Sequence, residues 1–161
     1  MKTGLLTFLL LLVTTISVAQ SGSDKERLVG TWGIYELKVE WFEVSFDPVK
    51  HQKIIDDAWA KDSVRLIERN VDKAGLAKIM EEQREMFAKG TFVFDKKGNC
   101  KRTVVDRKST DVSSPYTINE EKKEMTVELE NGSKQVSTYT FFEDQLILKD
   151  EKSELILKRK S

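Results

Sequence analysis

From Gly90 to its end the chain alternates between short runs rich in β-branched and aromatic residues and tight polar breaks, the pattern of an antiparallel meander. Strands are predicted near Thr91–Asp95, Cys100–Asp106, Tyr116–Ile118, Glu124–Glu130, Lys134–Phe142, Gln145–Lys149 and Glu154–Lys158. Turns fall at Lys97-Gly98-Asn99, Glu121-Lys122-Lys123, Asn131-Gly132, Glu143-Asp144 and Glu151-Lys152-Ser153. Lys108–Ser114 is the longest polar loop of this half and is placed to form part of a barrel mouth. Within Glu124–Glu130 the alternation is clean, so Met125, Val127 and Leu129 point inward. The following strand has two registers. A two-residue Asn131-Gly132 turn would pair Val127 with Val136 and turn Val136, Thr138, Thr140 and Phe142 inward; a one-residue slip would bring in Tyr139 and Phe141. At roughly 25 cal/mol per Å² of apolar surface, burying two rings outweighs burying two threonines, which favours the second.

Before Gly90 the pattern is different. Leu28 to Phe46 reads as strand, but its apolar phase shifts: Trp32 and Ile34 share one face, whereas Leu37, Val39 and Trp41 share the other. A bulge at Gly33 would flip the parity, and a second shift precedes Phe42, Val44 and Phe46. Either one long strand curls around a barrel, or an extended passage leads into the next segment. Asp47-Pro48 then caps and starts a helix, and helical composition runs to Ala88. Three amphipathic stretches follow: Val49, Ile55, Ala58 and Trp59; then, capped by Asp62 or Ser63, Val64, Ile67 and Val71; then Leu76, Ile79, Met80, Met86 and Phe87, ended by Gly90. Such stripes are expected to pack on the sheet. Seven short strands and the first one make eight, a number that suits an up-and-down barrel without free edges.

The amino-terminal apolar run serves another purpose. Lys2, the run Leu5 to Val13, and Ser17-Val18-Ala19 fit a signal peptide over residues 1–19, cleaved before Gln20. The run is shorter than the roughly 20 residues a spanning helix needs, so no stable membrane anchor is expected. Residues 20–27 read as a flexible leader, and 28–161 as a single domain with a helical insertion at about 47–89. The protein is therefore expected to be exported, periplasmic or secreted.

Charge adds little, since 27 basic and 27 acidic residues cancel and give no footprint for nucleic acid or membrane. Cys100 is the only cysteine, so no internal disulfide is possible, and an inert, partly buried thiol is expected. His51 is the only histidine; it lies on the first predicted helix, where a surface or capping role outweighs catalysis. Asp47, Asp56 and Asp57 lie nearby, but no paired His or Cys spacing accompanies them, so no metal site is expected. Glycine-rich phosphate loops are absent and no cofactor is expected. Glu36 and Glu40 are the acids near the barrel region, on a face the pattern does not assign, and no catalytic set emerges.

Gly30-Thr31-Trp32 resembles the Gly-x-Trp opening of lipocalins and of fatty-acid-binding proteins, in which a strand bends at the closed end and the indole plugs the floor. Thr91-Phe92-Val93-Phe94-Asp95, and Ser137–Phe141 running into Asp144–Lys149, are similar to strand pairs of small exported bacterial lipocalin-like domains. Fatty-acid-binding proteins also carry helices between their first two strands. The resemblance implies a mainly β fold: an antiparallel up-and-down lipocalin-like barrel of about eight strands, with the helices inserted after the first. It also implies that a late basic side chain, Arg159 or Lys158, stacks over Trp32, the planar guanidinium being better suited. The Arg-x-Tyr that holds carboxylates in fatty-acid-binding proteins is missing, because the last strand reads Leu155-Ile156-Leu157-Lys158-Arg159.

These features predict a non-catalytic binding protein holding a small apolar or amphipathic molecule. Trp32, Trp41, Phe92, Phe94, Tyr139 and Phe141 are the expected barrel lining. The alternative is a protein-interaction module with a filled barrel, acting through its helical face or the Lys108–Ser114 loop.

Overall fold

The computed structural model describes residues 23–104 and 110–160. The expected signal peptide, the start of the leader and part of the Lys108–Ser114 loop lie outside the described residues.

The chain begins with α1 (Asp24–Leu28), capped by the Ser23 hydroxyl, which accepts from Glu26 N at 3.3 Å. The leader is thus structured from this point, because Leu28 has a core to enter: only 1% of its surface is exposed. Strand β1 (Gly30–Val39) follows, then β2 (Phe42–Ser45), the helices α2 (Pro48–Glu68) and α3 (Lys73–Ala88), and seven more strands. These are β3 (Thr91–Phe94), β4 (Asn99–Val104), β5 (Thr110–Asn119), β6 (Glu124–Glu128), β7 (Lys134–Phe142), β8 (Gln145–Lys149) and β9 (Ser153–Arg159). Every neighbouring pair is antiparallel, and β9 pairs back onto β1, so β1 with β3 to β9 closes a barrel of eight strands. The ninth strand, β2, extends the sheet from the far half of β1: Leu37 pairs with Val44 and Val39 with Phe42, whereas Gly30 to Gly33 pair with β3.

The expected single strand from Leu28 to Phe46 is therefore a hairpin that reverses at Glu40-Trp41. The second apolar phase shift marks this turn. The first shift is a β-bulge, located at Tyr35 rather than Gly33: Ile34 pairs with Leu157 and Glu36 with Ile156, leaving Tyr35 unmatched. The extra residue moves Leu37 and Val39 onto the face that Trp32 and Ile34 occupy, so β1 is apolar inside along its whole length.

Register in the later strands follows the aromatic side chains. Met125 pairs with Ser137 and Val127 with Gln135, which places Tyr139 and Phe141 inside and Val136, Thr138, Thr140 and Phe142 outside. A longer connection than Asn131-Gly132 makes this possible, since the last pair is Glu128 with Lys134. In β5, Thr110–Ser114 belongs to the strand, not to a loop, paired with β4 from Val104 to Cys100.

Trp32, Leu146, Leu157, Phe94, Tyr116, Met125 and Tyr139 fill the closed end, each at most 4% exposed. Trp32 donates its indole N–H to Leu28 O at 2.8 Å, which ties α1 across the floor. As the resemblance implied, Arg159 stacks on Trp32, its guanidinium carbon 4.3 Å from the ring, while also donating to Val29 O and Arg27 O. Gly30 has φ +140°, and a Cβ there would lie 2.5 Å from Arg159 Nη1. Glycine is thus required to admit the guanidinium. Asp24 accepts from Tyr139 Oη at 2.8 Å and from Lys123 Nζ at 2.6 Å, closing the seal.

The insertion forms two helices instead of three, since α2 runs on through Asp62 and Ser63. Asp47 caps α2, accepting from Lys50 N at 2.8 Å, with Pro48 in its first turn as predicted. The helices pack on each other and on the β1–β2 flange, with Phe87 5.5 Å from Phe42 and Arg84 over Phe46. Much of the expected apolar stripe does not reach the sheet: Val49, Val64 and Ile67 are exposed.

Candidate functional site

Above the filled floor, the mouth half of the barrel holds a cavity of about 190 Å³. Its walls are built by strand alternation, with Leu37 and Val39 from β1, Phe92 and Phe94 from β3, Met125 and Val127 from β6, and Leu148 and Leu155 from β8 and β9. Four polar side chains enter this apolar wall: Arg102, Gln135, Ser137 and Ser153.

Arg102 is the residue the sequence analysis missed. The Gly98 turn pairs Phe94 with Cys100 and Phe92 with Arg102, so once the phenylalanines face inward the arginine must as well. That pairing was available in the sequence, where Cys100-Lys101-Arg102 after the turn puts a cation on the inward parity. Its Nη2 donates to the buried Ser114 hydroxyl over 3.5 Å, a long hydrogen bond. Its Nε is buried without a partner among the described residues. The charged lining of the cavity, among the described residues, consists of this guanidinium.

Cys100 also lines the cavity, and burial pushes its thiol up to about 12, slightly opposed by the Arg102 charge. A neutral thiol at physiological pH is a packing group rather than a nucleophile.

The six expected lining residues divide. Phe92 and Phe94 border the cavity. Trp32, Tyr139 and Phe141 face inward but belong to the floor and its seal, with Phe141 6.2 Å from Trp32 and 5.8 Å from Tyr139. Trp41 does not line the barrel. The chain reverses at this residue, leaving the indole 85% exposed at the hairpin tip. There it borders a second, open groove of about 860 Å³ on the outer rim, together with Val136, Thr138 and the 149–153 turn.

The acids and the histidine lie elsewhere. Glu36 faces outward, accepting from Ser45 Oγ at 3.2 Å and pairing with Lys50; Glu40 is exposed at the hairpin tip. His51 is buried between α2 and α3 instead of lying on the surface, with Nε2 3.4 Å from Glu81 Oε2. Its neighbour is thus neither Asp47, Asp56 nor Asp57. Among the described residues no cluster of potential metal ligands forms.

No protein-family model matches the chain, and no curated protein matches it. Two solved structures are similar in fold. A DUF4847 family protein from Bacteroides vulgatus superposes with a TM-score of 0.55 at 11% identity, covering 86% of this chain and 98% of that one. An uncharacterized protein from Bacteroides eggerthii gives a TM-score of 0.46 at 7% identity, covering 83% and 99%. At such identities the first likeness establishes shared architecture alone, that of a closed antiparallel barrel consistent with a calycin-like fold.

Proposed function

We propose that this chain is an exported, non-catalytic binding protein that holds a small apolar or amphipathic molecule in the mouth half of its barrel. The observation that carries this reading is the division of the interior, with a solid aromatic floor below and a partly open cavity of about 190 Å³ with a mixed apolar and polar lining above. Ligand sites combine these features, an apolar wall and a few placed polar groups. The volume sets the size. A buried cavity of about 150 Å³ accepts benzene, so this one suits a body of roughly six to eight carbons, smaller than the ligands of a wide-mouthed barrel.

Native mass spectrometry of the mature protein, purified gently from its exported fraction, tests the proposal. A reproducible extra mass that is lost on denaturation, and lost in a Val127→Phe variant that fills the cavity, supports it. A bare chain from repeated preparations refutes it and favours the second reading, an interaction surface at the outer groove. That alternative rests on Trp41 and Val136, 85% and 51% exposed, beside the rim.

A further inference from the structure

We infer that the barrel selects a small organic monoanion, a carboxylate on a short apolar body, and that Arg102 is the residue that recognises its head. This inference rests on the barrel-binding reading and adds the chemical class of the ligand. A guanidinium held partly buried in an apolar wall, with its Nε fully covered, is costly to keep there unless an acceptor of opposite charge meets it. Here that acceptor is missing among the described residues: Arg102 takes part in no ion pair, Nε has no partner, and Nη2 has only the long contact to Ser114. Asp111, the carboxylate of the neighbouring strand β5, is turned outward and held by Lys101 and Thr103 on the outer face.

The chemistry of the site narrows the class. Guanidinium presents parallel N–H donors in a rigid plane that match the two oxygens of a carboxylate, which a neutral head cannot match as well. One interior positive charge balances one negative charge; a dianion would leave a second charge uncompensated in the same apolar walls. Gln135, Ser137 and Ser153, also in the lining, supply neutral polar contacts but no second cation. Phe92, Val127 and Leu148 supply the wall for the apolar body. Binding requires Arg102 to turn about its own stem so that Nε leaves the wall and joins an Nη against the ligand, a movement its flexible side chain permits.

The test uses the mature protein and two probes of equal length, hexanoate and 1-hexanol, titrated calorimetrically at neutral pH and low ionic strength. Wild type is expected to bind hexanoate at least tenfold more tightly than 1-hexanol. In Arg102→Met, hexanoate should weaken by at least tenfold while 1-hexanol is unaffected or tighter, and the ligand-free variant should melt no lower than wild type. Arg102→Gln, which keeps polarity without charge, provides the same comparison should the methionine fail to fold. Equal binding of both probes to wild type overturns the anion assignment and leaves the cavity reading standing. Failure of both probes to bind overturns both. A fall in hexanoate and 1-hexanol affinity together in a folded variant assigns Arg102 to the wall instead of to recognition, and also overturns the inference.

Discussion

Replacing Trp32 with alanine tests whether the floor holds this fold together. The indole is 2% exposed, lies under the Arg159 guanidinium and bonds Leu28 O. Removing a fully buried aromatic costs about 3–5 kcal/mol where surroundings relax only partly. Relaxation is restricted here, because Arg159 stays bound to the Val29 and Arg27 carbonyls and cannot fall into the space. With an urea m-value of about 2 kcal/mol per M, the unfolding midpoint should fall by roughly 1.5–2.5 M, a large part of a typical stability of about 5–15 kcal/mol. Trp32→Phe separates packing from the hydrogen bond: it retains most of the ring and loses the Leu28 tether, for about 0.5–1.5 kcal/mol. Far-ultraviolet circular dichroism should follow both transitions, since Trp41 and Trp59 complicate fluorescence. A midpoint shift below about 0.5 M for the alanine variant, less than about 1 kcal/mol, would show that Trp32 is not the keystone of the floor.

Gly30→Ala should cost about 1–3 kcal/mol by the same assay, since its backbone is at φ +140° and its Cβ would displace Arg159; a neutral result would mean the strand can shift there. Cys100, with its thiol raised to about 12, should react with iodoacetamide at pH 8 at least about a thousandfold more slowly in the folded protein than in urea. Comparable rates would place the thiol outside the barrel. Asp24 gives the pH dependence. Burial acts to raise its pKa, but hydrogen bonds from Lys123 and Tyr139 prevail and hold it below the ordinary carboxylate value of 3.8. Its contribution is therefore present above the unfolded pKa and lost as pH falls through the folded one. The melting-point gap between wild type and Asp24→Asn should be constant near neutrality and close at acid pH; a gap that widens on acidification contradicts this linkage.

Much of this fold was legible because strand periodicity records which side of a sheet is buried. Lys134–Phe142 and Gln145–Lys149 could be bounded to the residue, since polar breaks flank each apolar run. The aromatic register of β7 followed from comparing two burial areas. What remained hidden has a common cause, in that local pattern does not report tertiary partners. Glu40-Trp41 turns the chain without glycine, asparagine or proline, so the β1–β2 hairpin resembles a strand with a shifted phase. The end of the leader became part of α1 because Asp24 and Arg27 meet partners on β7 and β9 far along the chain. Trp41 looked like core because it is large and apolar, yet at the hairpin tip it meets Phe42 on one side and stays 85% exposed. Arg102 failed to stand out for the opposite reason, as charge on a strand is normally read as solvent-facing.

The two halves of the barrel follow different rules, and the difference bears on function. At the floor each polar group meets a partner: indole with Leu28 O, Tyr116 Oη with Asp95 O at 3.0 Å, Tyr139 with Asp24, Arg159 with two carbonyls. With that degree of satisfaction at one end, there is no stability reason for a guanidinium that is only half-paired among the described residues at the other, where methionine or leucine would fill the same wall without a charge to solvate. Retaining Arg102 there works against the fold taken alone. Local departures from consistency tend to mark functional positions, and a stable floor would leave the mouth free to carry the proposed one. The Arg102 cation in the cavity wall, which meets no carboxylate among the described residues, is therefore more informative for the binding proposal than the aromatic side chains that stand out in the sequence.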